Sequence, residues 1–90
     1  MSVKVRLHPL LRKLAGDQEW VESWGRTVGE CIDNLETQFP GIKQRLCDKQ
    51  GKLLNYFEIY INSESSYPEE LTKPVSDGDE LTIVTLVGGG

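Results

Sequence analysis

Histidine and cysteine are scarce in this chain, and their scarcity removes most catalytic chemistry. His8 is the only histidine, and Cys31 and Cys47 are the only cysteines. No Ser/His/Asp or Cys/His set can be assembled around them. His8, beside Pro9, reads as a surface or packing residue rather than a general base. The cysteine pair matches no metal or redox spacing, and a disulfide between them is not expected in a reducing cytosol. No glycine loop of the phosphate-binding kind occurs. No apolar run is long enough to cross a bilayer. Met1-Ser2-Val3-Lys4-Val5 lacks the charged start and apolar stretch of a signal peptide, so a cytoplasmic protein without a membrane role is expected. Positive charge is also short, with ten Lys and Arg against fourteen Asp and Glu and a net charge of −4. Lys4, Arg6, Arg12, Lys13, Lys43 and Arg45 form no basic stripe with interleaved aromatics, which weighs against a nucleic-acid partner. An acidic chain can still be steered onto a basic protein surface.

What is present is enough for one domain with one modest core, since the chain has 90 residues and no internal repeat. Val3, Val5 and Leu7 alternate with Lys4 and Arg6, the period of a strand with one buried face. Pro9 ends it. Leu10, Leu11 and Leu14 follow in a short stretch closed by the turn Ala15-Gly16-Asp17. A second strand is expected over Glu19 to Ser23, antiparallel to the first across a longish loop. Thr27-Val28-Gly29-Glu30 has the form of a capping box. The Thr27 hydroxyl would accept from the Glu30 amide, and Glu30 would reach back to the Thr27 amide. Val28, Cys31, Ile32, Leu35 and Phe39 then fall at helical spacing as one apolar stripe. That places Cys31 among core side chains as a small hydrophobe. Pro40-Gly41 stops the helix, and Ile42 to Leu46 has room for one more turn.

Phe57 to Asn62 alternates again, with Phe57, Ile59 and Ile61 on one side. Asn62 to Ser66 is rich in turn residues and has room for a short strand. Leu71, Pro74 and Val75 are isolated apolar points, and Ser76-Asp77-Gly78-Asp79 is a turn. The last strand runs from Glu80 to about Leu86, with Leu81 and Ile83 on one face. The order strand, strand, helix, strand, short strand, strand gives an α+β roll. Its sheet has four to five strands, with one main helix on one face.

The other sheet face should carry Lys4, Arg6, Glu58, Tyr60, Thr82 and Val84. Tyr60 and Val84 are apolar for a solvated surface and mark a candidate partner-binding face, with Leu54 and Tyr56 just ahead of the strand. Trp20 and Trp24 point outward if Val21 and Ser23 point inward. They then either cover a core edge or belong to an interface. The chain ends in Leu86-Val87 followed by Gly88-Gly89-Gly90. A glycine run lacks Cβ atoms and can thread a narrow channel to present its carboxylate. The alternative is a frayed end with no chemistry. Residues 1–87 are taken as the domain and 88–90 as a glycine tail.

The early strand, the Thr-capped helix, the run Val75-Ser76-Asp77-Gly78-Asp79-Glu80-Leu81-Thr82-Ile83 and the final Gly89-Gly90 resemble the MoaD/ThiS sulfur carriers. Gly51-Lys52-Leu53-Leu54 leading into Phe57-Glu58-Ile59-Tyr60-Ile61-Asn62 looks most like the CysO-type carriers of cysteine biosynthesis. The resemblance implies a β-grasp, ubiquitin-like fold, a mixed sheet and adjacent first and last strands. It also implies a protein co-substrate rather than an enzyme, with no cofactor on the chain itself. An E1-like enzyme would use ATP to adenylate the Gly90 carboxylate, and a sulfur donor would convert the adenylate to a thiocarboxylate. Gly89 would share that site, while Gly88, Val87, Tyr60, Val84 and Leu54 would meet partners. The acceptor would be a PLP-dependent cysteine synthase, or in a second reading the large subunit of molybdopterin synthase or thiamine-thiazole synthesis. The carrier alone would be a monomer. Thr85-Leu86-Val87-Gly88 departs from the family by standing where many members carry proline and alanine. A ubiquitin-like modifier joined through Gly90, and a plain β-grasp binding module, are the readings of different class.

Overall fold

The computed structural model describes residues 2–86. Five strands form one mixed sheet: β1 (Ser2–Arg6), β2 (Trp20–Trp24), β3 (Phe57–Ile61), β4 (Glu64–Ser65) and β5 (Glu80–Thr85), in the spatial order β2-β1-β5-β3-β4. β1 and β5 run parallel, and every other pairing is antiparallel. The first and last strands are therefore adjacent and both interior, as the family resemblance implied. Periodicity alone could not have placed them together, because pairing β1 with β5 closes nearly the whole chain into one loop.

The turn before β5 explains how that closure is held. Gly78 sits at φ 86°, a conformation that disfavours side chains with a Cβ. The Asp79 carboxylate accepts from the Ser76 amide at 2.7 Å and from the Asn62 amide group at 2.9 Å. Its backbone carbonyl takes the Lys4 amide at 2.9 Å, while the Gly78 amide reaches the Ser2 carbonyl at 2.8 Å. Asp77 accepts the Ser2 amide at 2.9 Å. One Asp-Gly-Asp turn thus pins the start of β1, the end of β3 and the start of β5 together.

Three helices accompany the sheet: α1 (Pro9–Arg12), α2 (Val28–Gln38) and α3 (Ile42–Leu46). α1 continues as a 3-10 turn over Lys13–Ala15. The helical turn at Pro9 was not anticipated, because its three leucines do not share a face. Leu11 is buried, Leu14 is partly covered and Leu10 is exposed. The His8 Nδ1 atom accepts from the Leu10 amide at 3.1 Å and so caps α1, which gives the lone histidine a structural task.

α2 begins as the sequence suggests, with the Thr27 hydroxyl accepting from the Glu30 amide at 3.1 Å. The reciprocal half of the box differs. The Glu30 carboxylate accepts from the Arg26 amide at 2.8 Å, one residue earlier than expected. The Thr27 segment is instead bridged to Pro74, and the Val28 amide is taken by the Lys73 carbonyl at 3.0 Å. At the far end, the Glu36 carboxylate accepts from the Gly41 and Lys43 amides, the latter at 2.9 Å. It thereby caps α3 from the neighbouring helix. These backbone donors hold the Glu36 carboxyl below its ordinary range.

Val28, Cys31, Ile32 and Leu35 of α2 pack on Val3, Val5, Val21, Phe57, Ile59, Leu81 and Ile83 of the sheet. Leu7, Leu11, Ile42, Leu46 and Val75 close the ends of this single core. Phe39 lies at its rim rather than inside. Cys31 and Cys47 are free thiols, both buried. Burial and the adjacent Glu30 carboxylate push the Cys31 thiol up from 9.0 to about 11, and burial raises Cys47 as well. Both are packing residues, because a thiol held protonated is a poor nucleophile.

Candidate functional site

The strand register assembles the face opposite α2. Trp20 pairs with Arg6, Arg6 with Thr82, Thr82 with Tyr60 and Tyr60 with Ser65, so one continuous row crosses all five strands. Cross-strand partners share a face. Val84 stands on the same face opposite Glu58. Tyr60 and Val84, singled out from the sequence, are thus diagonal neighbours. With Arg6, Ser63 and Thr82 they line a shallow depression. Val84 also borders a second hollow walled by His8, Pro9 and Arg12 at the end of β1. The Arg6 guanidinium lies 6.0 Å above the Trp20 ring and bonds Glu19 at 2.8 Å, which fixes it along the row.

Two expectations need correction. Glu58 lies on this face but is buried, its carboxylate accepting from the Ser65 hydroxyl. The cause is β4, which folds back on β3 and brings Ser65 and the following loop over Glu58. Leu54 does not join Tyr60 and Val84. It is half-buried against the core, and its amide donates to the Leu46 carbonyl at 2.8 Å. Both tryptophans point outward, as the inward Val21 and Ser23 require. Val21 and Ser23 are buried, while Trp20 is 43% and Trp24 49% exposed.

The face ends where β5 leaves the sheet. The Leu86 amide donates to the Tyr56 carbonyl at 2.7 Å, adding one rung beyond the Phe57–Thr85 pair. Leu86 and Tyr56 are both exposed apolar side chains at this point. The Tyr56 ring leans on Phe57 with centroids 5.0 Å apart, and Phe57 meets the His8 ring edge-on at 6.4 Å. Tyr56 and Leu86 complete the patch; the sequence puts Tyr56 beside Leu54 just ahead of the strand without assigning it a face, and Leu86 at the end of the last strand. Tyr56 precedes the alternating run, so period two could not assign it a face. Val87, Gly88, Gly89 and Gly90 lie outside the described residues.

No group of three or more His, Cys, Asp or Glu side chains suited to a metal occurs among the described residues. No helix among them is long and apolar enough to cross a membrane. The described residues thus supply a sheet face with an apolar patch at Tyr60, Val84, Tyr56 and Leu86, on a chain whose sequence continues past β5 into three glycines.

The model of the ThiS family matches residues 5–90. The sulfur carrier protein CysO of Mycobacterium tuberculosis is 38% identical over 93 residues, with the whole of both chains covered. Its crystal structure superposes with a TM-score of 0.88 at 36% identity, over 94% of this chain and 99% of that one. CysO in the Amycolatopsis orientalis BexX/CysO complex gives 0.89 at 39% identity, over 98% and 99%. Small archaeal modifier protein 1 of Haloferax volcanii gives 0.82 at 27% identity, covering all of both chains. The chain belongs to the ThiS family and has its β-grasp, ubiquitin-like fold.

Proposed function

We propose that this chain is a cytoplasmic sulfur carrier of cysteine biosynthesis, used as a protein co-substrate by partner enzymes and carrying no cofactor itself. One observation supports this most directly. β5, locked between β1 and β3, leads straight into Val87-Gly88-Gly89-Gly90, in a chain 38% identical to CysO from end to end. Four residues beyond Leu86 span at most about 14 Å when extended. A partner docked on the Tyr60–Val84 face would therefore find the Gly90 carboxylate within reach of an active site just past the exit patch.

A carboxylate is a poor acyl electrophile, so activation comes first. An E1-like enzyme holds ATP, and a Gly90 carboxylate oxygen attacks the α-phosphorus. Pyrophosphate leaves and an acyl-adenylate remains. A sulfur donor at the sulfide level attacks the acyl carbon, AMP departs, and a thiocarboxylate results. Its sulfur is a soft nucleophile suited to a PLP-dependent cysteine synthase, where it would displace the leaving group of an activated three-carbon acceptor to give a thioester with Gly90. Hydrolysis of that thioester would leave the sulfur on the product and return the Gly90 carboxylate. In this scheme the carrier's residues position and present, and the catalytic groups belong to the partners.

The test is an intact-mass measurement after incubation with ATP, sulfide and an activating enzyme proven active on its own carrier. The expected result is one oxygen-to-sulfur exchange mapped to Gly90. Gly90→Phe should fold normally and remain unmodified. An unchanged native mass, or normal activation of Gly90→Phe, overturns the proposal. The full-length likeness to small archaeal modifier protein 1 favours one second reading, conjugation through Gly90 to lysines. Conjugates that survive reducing agent would mark it.

A further inference from the structure

β2 is an edge strand, and its sequence Trp20-Val21-Glu22-Ser23-Trp24 is nearly two-fold symmetric about Glu22. The Leu7 amide donates to the Glu19 carbonyl at 2.8 Å. In an antiparallel ladder hydrogen-bonded and non-bonded pairs alternate. Glu19, Val21 and Ser23 therefore bond toward β1, and the backbone groups of Trp20, Glu22 and Trp24 point off the sheet. An edge of this kind is a template for another strand.

A second copy fits this edge by its own symmetry. Antiparallel pairing centred on Glu22 would set Trp20 of each molecule opposite Trp24 of the other, on one face. Cross-strand aromatic pairs of that kind stabilise a sheet, and both rings are exposed in the monomer.

Two side chains of α2 occupy the same backbone groups. The Gln38 amide group donates to the Glu22 carbonyl at 2.8 Å and to Asn34 Oδ1 at 2.8 Å. Asn34 Oδ1 in turn accepts from the Trp24 amide at 3.3 Å and from the buried Ser23 hydroxyl at 3.2 Å. An acceptor and a donor that a partner strand would need are thus already taken. Pairing would also bring the two Glu22 carboxylates face to face, a like-charge contact that opposes it.

We propose that Asn34 and Gln38 guard the β2 edge, preventing this self-complementary strand from pairing with the same strand of a second copy. The guard would keep the sheet face that bears Trp20, Tyr60 and Val84 together, turned away from α2, and the tail available to enzyme partners. It stands on the edge geometry alone, independent of the sulfur chemistry.

The test compares sedimentation equilibrium of the full native chain with three variants: Gln38→Ala, Asn34→Ala/Gln38→Ala, and Glu22→Gln/Gln38→Ala. The native chain is expected to remain monomeric. The double variants should dimerise about tenfold more tightly or better, with a new near-ultraviolet dichroism signal from paired tryptophans. Asn34→Asp keeps the acceptor oxygen and should stay monomeric. Adding Trp20→Ala/Trp24→Ala to a dimerising variant should abolish the dimer. Gln38 is exposed, so Glu22→Gln/Gln38→Ala tests the idea even where Asn34→Ala fails to fold. Folded double variants as monomeric as the native chain, a native chain that dimerises equally well, or a dimer indifferent to the tryptophans overturns the proposal.

Discussion

Three apolar residues near β3 and β5 should separate cleanly under mutation. Tyr60 and Val84 lie on the open face, and Leu54 packs against the core. A tyrosine buries about 150–250 Å² in a full interface. Tyr60 is already partly covered in the free chain, which leaves on the order of 50 Å² of its surface for a partner to cover. At about 25 cal/mol per Å² that is roughly 1–2 kcal/mol of docking free energy lost in Tyr60→Ala. The corresponding effect is a rise of about 5- to 30-fold in the KM for the carrier in its activation reaction. kcat should hold, because lost uniform binding raises KM without touching chemistry at Gly90. Val84→Ala removes less surface and should follow the same pattern more weakly. Leu54→Ala should do the opposite and lower Tm with little change in KM. The assay is the rate of thiocarboxylate formation by intact mass against carrier concentration, paired with thermal unfolding of each variant. An unchanged KM for folded Tyr60→Ala, or a larger KM effect for Leu54→Ala than for Tyr60→Ala, would refute the face assignment.

Gly25 joins β2 to α2 with no room for a side chain, since a Cβ would lie 2.7 Å from the Cys31 nitrogen and 2.8 Å from Glu30 Cβ. Gly25→Ala should therefore cost about 1–3 kcal/mol, seen as a fall in Tm of roughly 5–15 °C. Thr27→Ala removes the side-chain cap of α2 and should cost about 1 kcal/mol, or roughly 4–8 °C in Tm. Cys31 gives a pH dependence of definite sign. Its thiol rises from 9.0 to about 11 on folding, so the unfolded chain releases that proton first. Its contribution to stability is complete below pH 9 and is lost as pH rises toward 11. Denaturant titrations across that range should show the decline, and Cys31→Ala should show less of it. At pH 8 both cysteines of the folded chain should resist a thiol reagent that labels the denatured chain.

The elements legible in the sequence were those with a strong period or a local signature. β1, β3 and β5 carry their core residues at every second position of the sequence, and α2 announces itself at Thr27 and again in its stripe. What was not legible depended on neighbours distant in sequence. Glu58 looks like a solvated strand residue until β4 returns over it. Leu54 looks like a partner contact until its side chain is seen to pack against the core. Glu30 accepts from the Arg26 amide rather than the Thr27 amide, at a strand-to-helix corner that also bonds to the distant Lys73–Val75 segment. The exit patch needed the Leu86–Tyr56 rung, which no periodicity encodes. Tyr60 and Val84 could be placed on one face from alternation, but only the register shows that they are neighbours.

The parallel β1–β5 pairing has a mechanical consequence. A pull on the residues after β5, opposed by one on the residue before β1, directs its two forces oppositely along adjacent parallel strands. The rungs joining them are then loaded lengthwise and together, rather than opened one after another. Tension of this kind must break the shared ladder as a unit, while the same force across the short β4 edge would peel two rungs in succession. A partner that grips and draws on the glycine end thus hauls on the sheet along its most resistant axis. The domain can be tugged without being unravelled.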